Sequence, residues 1–423
     1  MRFHGIHPFD GKSFTNSKEV EILPITAGDE YYISLTQHIG APAKPIVTKG
    51  QSVQAGELIA EANGFISANI HASVSGTIVS IGYGDYPVSG KAPSIVIKAS
   101  EEQGSVQPIP KEATSLADIA KLAGIVGMGG AMFPAHVKLS PKSQLDTLII
   151  NGAECEPFLT CDHRTMVERA ADIIAGAKII KDALNIERVV IGVEGNKPDA
   201  IDELLQASDD VEVVELPQIY PQGGEKQLIQ YVLGKVVPEG KLPADIGVLV
   251  HNVTTVCAIF DAYKLRIPCI RRVVTITGRV QSPKNILAPL GTPISRLIEF
   301  CGGTKDDNIK VILGGPMTGF AAHSLSIPTY KGMNGVVVMS GRAVTPPQRA
   351  CIRCGRCARA CPANLSPVTL ENFAANNMYP ELLKWKLLSC IECSACNYVC
   401  PSARPLKTLF RLAKKPVMEL LKR

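Results

Sequence analysis

Eight of the thirteen cysteines fall in two runs of one spacing, C-x2-C-x2-C-x3-C-P, at residues 351–362 and again at 390–401. With this spacing iron–sulfur proteins hold paired cubanes. Three cysteines at i, i+3 and i+6 wrap a tight loop around one cluster. The fourth leaves on a helix and reaches the other, and Pro362 and Pro401 redirect the chain after it. On that rule Cys351, Cys354, Cys357 and Cys400 hold one [4Fe-4S] cluster, and Cys390, Cys393, Cys396 and Cys361 hold the other. Zinc ribbons use CxxC pairs without the x3-C-P ending, which makes a zinc-structural adaptor the weaker alternative. Two neighbouring one-electron centres form a relay, and a relay needs something to load it.

The loading element is sought upstream. Between about 115 and 265, strand-like and helix-like runs alternate: TLIING (147–152), a helical run TMVERAADIIAGAKIIKDAL, RVVIGVE (188–194), a helix from about 197, VEVVEL (211–216), a helix from 224, IGVLVHN (246–252) and a last helix. This alternation predicts a doubly wound, Rossmann-like parallel sheet, with ligands beyond the carboxyl ends of its strands. Polar, glycine-bearing segments mark those ends. They are GIVGMGGAMFPAHVK (124–138), NGAECEP (151–157), YPQGGEKQLI (220–229) and HNVTT (251–255). Any one alone reads equally well as a turn or helix cap; four on one sheet point to a binding site.

Those segments resemble the flavin- and NADH-binding subunit of respiratory complex I, which carries GRGGAGFP-x3-K, N-A-D-E-x-E-P, Y-x-x-G-E-E and N-N-V-E-T. Over nearly its full length the chain resembles the peripheral RnfC (RsxC) components of Rnf (Rsx) membrane complexes, which couple ferredoxin and NAD+ to ion transport. The resemblance implies FMN contacts at Gly127, Gly129, Gly130 and Lys138. It implies a flavin lining of Asn151, Glu154, Tyr220 and Asn252, with Phe133, Glu156 and Glu225 facing NAD(H). The chain departs from the pattern at Met132 for glycine, Ala153 for aspartate, Gly224 for glutamate and His251 for asparagine. Met132 is expected to crowd the loop. These departures motivate one alternative, a flavin-less iron–sulfur relay or docking subunit. A corrinoid reductase of similar architecture is another, against which the segment GIHPFDGK ahead of the barrel weighs.

Residues 38–100 alternate apolar positions broken by Gly50, Gly56, Gly64 and Gly76, like a lipoyl-type barrel-sandwich hybrid. The hairpin GFISANIH has no lysine for a covalent cofactor, so a structural role is expected. Residues 268–345 carry strand signals in RRVVTITGRV and NIKVILGGPMTG and resemble the β-grasp (SLBB-type) domain that follows the flavin domain in the complex I relative. GGPMTG reads either as a plain turn or as one near the flavin domain or a partner. Cys155, Cys161, Cys257, Cys269 and Cys301 share no spacing and read as free thiols. The basic tail RPLKTLFRLAKKPVMELLKR reads as a solvated helix pair split by Pro416.

The expected fold is therefore multidomain α/β. It comprises an N-terminal segment and barrel-sandwich hybrid (1–110), an FMN/NADH-binding α/β domain (111–267), a β-grasp domain (268–342), and a helical 2[4Fe-4S] ferredoxin-type domain with the basic tail (343–423). Net charge is only +5 over 423 residues, with no dense basic face interleaved with aromatics, which excludes nucleic acid as a partner. No run of 18 apolar residues and no apolar stretch after the first methionine are present, so neither a membrane span nor a signal peptide is expected. The expected cofactors are two [4Fe-4S] clusters, FMN and NAD(H). The resemblance implies other Rnf subunits as partners, foremost the cluster-bearing B subunit, with ferredoxin reached indirectly. It places the chain peripherally, on the cytoplasmic side of the cell membrane. Hydride transfer to a flavin needs no protein acid or base, so no catalytic side chain is expected.

Overall fold

The computed structural model describes residues 5–87, 90–208, 210–341 and 347–421. After a short strand β1 (Val20–Ile22), seven strands build the barrel-sandwich unit: β2 (Glu30–Ser34), β3 (Lys44–Pro45), β4 (Ser52–Val53), β5 (Leu58–Glu61), β6 (Ile70–His71), β7 (Gly76–Tyr86) and β8 (Gly90–Ala99). They form two sheets, ordered β2-β8-β7-β4 and β3-β5-β6. Inward-facing Tyr31, Ile33, Ile59, Ile78, Ile95 and Ile97 are fully buried between them. Alternation with period two puts these residues on one face of each strand.

The α/β unit begins with α1 (Leu116–Leu122), whose first turn is capped by Ser115 accepting the Asp118 N–H. It continues through α2 (Ala135–Lys138), β9 (Thr147–Gly152), α3 (Cys161–Glu168), α4 (Ala170–Leu184), β10 (Arg188–Glu194), α5 (Pro198–Ala207), β11 (Glu212–Leu216), α6 (Glu225–Leu233), β12 (Val248–Asn252) and α7 (Val253–Phe260). All strand pairs are parallel and the order is β11-β10-β9-β12. The chain thus reverses direction across the sheet between β9 and β12, the kind of crevice where such sheets bind ligands. The helical run expected over 165–184 is broken at Arg169, which leaves helical geometry (φ −132°, ψ 30°). Its guanidinium is clamped by Asp172 and by both oxygens of Asp261.

The third unit contains β13 (Arg271–Gly278), β14 (Lys284–Pro289), α8 (Ile294–Phe300), β15 (Ile309–Leu313), β16 (Phe320–Ala321) and β17 (Gly335–Ser340). Its sheet is ordered β1-β14-β13-β17-β15-β16. Strand β1 pairs parallel with β14, Val20 opposite Asn285, so the segment ahead of the barrel completes this sheet rather than the barrel. Three units meet at the fully buried Lys331. Its ammonium donates to the Asn69 carbonyl of the barrel (2.9 Å) and the Gly124 carbonyl of the α/β unit (2.6 Å). Burial with no carboxylate partner lowers its pKa to about 8.

The cysteine unit holds α9 (Arg356–Arg359), α10 (Pro367–Ala375), α11 (Tyr379–Lys384), α12 (Ala395–Tyr398) and α13 (Leu406–Leu420). The helix pair expected around Pro416 is one helix. Leu406, Phe410, Ala413 and Val417 recur on one face and are buried against Leu370, Leu382 and Leu387. That burial outweighs the roughly 3 kcal/mol a mid-helix proline costs. Leu412, four residues before the proline, is 69 % exposed, so the carbonyl that loses its partner has solvent beside it. Among the described residues no helix is long and apolar enough to cross a membrane.

Candidate functional site

The four motif segments converge at the carboxyl edge of the β9–β12 sheet. Gly127 anchors the glycine loop through bonds between its N–H and the Phe133 carbonyl (2.8 Å), and between its carbonyl and the Met132 N–H (3.0 Å). A Cβ at Gly129 would press on Asn252 at 3.3 Å. Gly130 has φ +105° and open space where a Cβ would stand, so backbone is left bare there. Asn252 caps α7, its side-chain oxygen accepting from Thr254 and Thr255, while its amide donates to Asp162 at 2.6 Å. Lys138 projects from α2 to Glu225 at the start of α6 (2.7 Å) and to the Val250 carbonyl (3.0 Å). Asn151 bridges the Gly223 carbonyl and the Ala153 N–H.

Met132 does not fill the loop. It takes φ 52°, a conformation glycine adopts without strain, and its side chain runs to Gly332 and the core of the third unit. Phe133 is half-buried beside it. Among the described residues, five buried side-chain atoms of these segments have no hydrogen-bond partner: Nδ1 of His136, Oε1 and Nε2 of Gln222, Oε1 of Gln227 and Nε2 of His251. Burial and the nearby Lys138 lower the His251 pKa to about 3, so the imidazole is neutral and one ring nitrogen is free to accept. A bare glycine loop, a lysine and unpartnered polar atoms suit a flavin nucleotide, whose phosphate and ring edges need such partners.

Two predicted site residues turn inward. Glu154 (φ 44°) is buried, and its carboxylate caps α3 by accepting from the Asp162 (2.7 Å) and His163 (3.1 Å) N–H groups. Burial and the neighbouring Asp162 raise its pKa to about 7 against the pull of Lys12 and Lys197. Cys161 and Asp162 complete a tight buried group with it, but Asp162 already accepts from Asn252 and Thr254. Glu156 reaches the GGPMTG turn, accepting from the Met317 (3.1 Å) and Thr318 (2.8 Å) N–H groups and the Thr318 hydroxyl. Glycine at 315 is required, because a Cβ there would collide with that carboxylate.

Tyr220, followed by a cis peptide to Pro221, crosses to the cysteine unit. Its phenol donates to the Cys393 carbonyl at 2.7 Å, and its ring packs with Ile6, Met317 and Ala395. Cys155 lines the same contact, its sulfur accepting the Gly223 N–H at 3.2 Å, and burial lifts its pKa to about 12. Lys407 of α13 closes the junction by donating to the Met317 and Thr318 carbonyls. Cys155 and Lys407 carried no sequence signal for this role, whereas GGPMTG was recognisable as a turn with one reading near the flavin unit.

Cys361, Cys390, Cys393 and Cys396 line one cavity together with Lys407 and Phe410, which sets the fourth cysteine of the first run beside three of the second. Cys351 and Cys354 are exposed, with Cys357 half-buried. Among the described residues no three of these eight sulfurs lie within 4.8 Å of one another. Sulfurs on a single zinc would be about 3.8 Å apart, given ~2.3 Å bonds in a tetrahedron. No such zinc-like triad is present among the described sulfurs. The Arg353 and Leu365 N–H groups point at the Cys351 and Cys361 sulfurs, as thiolate ligands require.

Comparison with known families decides among the readings. Residues 1–102 match the RnfC barrel-sandwich hybrid domain, 120–261 the Nuo51 FMN-binding domain, 273–321 the SLBB domain and 350–404 the 4Fe-4S dicluster domain. The C component of the proton-translocating ferredoxin:NAD(+) oxidoreductase complex of Clostridium ljungdahlii is 46 % identical over 89 % of this chain and 85 % of its own. The chain belongs to the RnfC family. The corresponding component of the Na(+)-translocating complex from Acetobacterium woodii is 38 % identical over 98 % of this chain and 96 % of its own. The air-oxidised NAD+-reducing [NiFe]-hydrogenase shares the fold (TM-score 0.50, 17 % identity) over 64 % of this chain and 54 % of that one.

As an RnfC-family protein the chain is an electron-transfer component of a membrane-associated oxidoreductase complex. Its cofactors are FMN, NAD(H) and two [4Fe-4S] clusters.

Proposed function

We propose that this subunit exchanges electrons between NADH/NAD+ and ferredoxin, from the cytoplasmic side of the membrane, with ion transport performed by partner subunits. When bound, flavin would accept one hydride, two electrons with a proton, and release the two electrons singly to clusters that carry one each. The chain's own residues supply the rest. Gly127, Gly129, Gly130 and Lys138 cradle the nucleotide; Asn151, Asn252 and His251 hold its polar edges; Phe133 offers an aromatic face to a flat heterocycle, with Glu225 beside the loop. Glu154, Glu156 and Tyr220 act one step out, fixing α3, the 317–318 turn and the second cysteine loop.

One observation carries this reading: the bond from Tyr220, in a strand-end motif, to the backbone of the cluster ligand Cys393. It supports a reading in which a cluster on Cys361, Cys390, Cys393 and Cys396 lies against the flavin unit and the other cluster, nearer the surface, faces the B subunit. Anaerobic titration of the purified chain with NADH tests it. Bleaching of both flavin and iron–sulfur absorbance is expected. Bleaching by dithionite alone, with added FMN making no difference, would reduce the chain to a relay.

A further inference from the structure

From Asn308 to Leu370 the chain contains no aspartate or glutamate, yet it carries Arg349, Arg353, Arg356 and Arg359 around the first cysteine run. All four arginines are exposed, as are Cys351, Cys354 and Ile352, the last at 68 %. Among the described residues none of the four has a carboxylate partner; Arg359 donates only to the Cys354 carbonyl. The second run is the opposite case. There Glu392 is held by Arg411 and Lys414, and that site is buried against the flavin unit. Four free guanidiniums exceed the about two negative charges of an oxidised cubane with its thiolates, so the exposed face stays positive.

We propose that this arginine-ringed face is the docking surface for an acidic redox protein, an iron–sulfur carrier domain with carboxylates around its own cluster. The proposal rests on the reading that Cys351, Cys354, Cys357 and Cys400 hold a cluster. Charge complementarity selects the occupant: unpaired arginines at a solvent-exposed redox centre raise the encounter rate with a negative surface and turn away a positive one. Ile352 gives the patch a small apolar centre, as suits a transient redox contact rather than a permanent interface. Each encounter moves one electron between the first cluster and the carrier, one centre oxidised and the other reduced, with no proton or bond exchanged.

The test uses the full reconstituted chain, reduced with dithionite and freed of excess, mixed by stopped flow with an acidic blue-copper protein or a basic c-type cytochrome. Both probes have high potentials, so both reactions run downhill. Oxidation by the acidic probe is expected to slow by about tenfold or more between low and moderate salt, and oxidation by the basic probe to speed up. The Arg353→Glu/Arg356→Glu/Arg359→Glu variant should reverse the preference while keeping its iron content and both electron paramagnetic signals. If that variant fails to assemble, Arg353→Gln/Arg356→Gln should lose severalfold with the acidic probe. Rates indifferent to salt and to these substitutions would overturn the proposal. So would arginine-dependent binding to phosphatidylglycerol-containing vesicles with probe rates unchanged, which would assign the face to lipid. Loss of only the first cluster's iron from the wild-type chain would instead refute the cluster reading beneath it.

Discussion

The Tyr220 phenol and the Cys393 carbonyl, 173 positions apart in sequence, share a 2.7 Å hydrogen bond at the junction of the flavin and cysteine units. Tyr220→Phe leaves that buried carbonyl without its donor, at a cost of about 1–3 kcal/mol. The midpoint potential of one cluster is expected to shift and that of the other to stay, read by redox titration with paramagnetic resonance. Equal shifts in both would mean that the contact does not distinguish them.

Crossed ligation gives a second expectation. Cys361→Ser should remove the cluster held by the second run, and Cys400→Ser the one held by the first. Each variant should retain roughly half the iron, with a different resonance signal surviving in each. Loss of the same signal in both would contradict the cavity shared by Cys361 and Cys390–Cys396.

Glu156 ties the α/β unit to the 317–318 turn, whose carbonyls Lys407 then holds. Glu156→Ala frees two N–H groups and a hydroxyl, and should destabilise the chain by about 2–4 kcal/mol, measured by urea unfolding. Limited proteolysis should then cut first within 314–319. The same removal at exposed Glu61 should change neither readout.

Glu154 has a folded pKa of about 7, above its ordinary 4.5. A raised acid contributes stability below the unfolded value and loses it as pH climbs through the folded one. Wild-type stability should therefore fall between about pH 4.5 and 7, by at most ~3 kcal/mol from this group. Glu154→Gln should flatten that slope in denaturation series across the range; an unchanged slope would assign it to another group.

Lys138 reaches the strand-end edge at Val250 and Glu225. Lys138→Ala should lower the flavin retained through gel filtration by about tenfold, consistent with the loss of one charged contact. The His251→Leu variant should lose less, and without added pH dependence, because its imidazole is already neutral.

What was legible in the sequence follows from local chemistry. Strands 147–152 and 188–194 match their expected bounds because each is a short β-branched run closed by polar residues. The cysteine loops were legible because their spacing is the ligand geometry. The break at Arg169 was not, since it depends on Asp261, 92 residues away. Nor was the single helix through Pro416, which is decided by what Phe410 and Val417 pack against. Glu154 and Glu156 sit in a motif that resemblance assigns to cofactors. Their actual partners, backbone N–H groups at 162–163 and 317–318, are set by tertiary placement that no local pattern encodes.

The parallel pairing of Val20 with Asn285 also has a timetable. The partner strand is made 265 residues later (285 minus 20), about 13–50 s at ~5–20 residues per second. Over that interval the barrel's two sheets can close from residues already made, while the segment before them waits as an unpaired edge. Val20–Ile22 therefore leave the ribosome before the barrel and are seated after it.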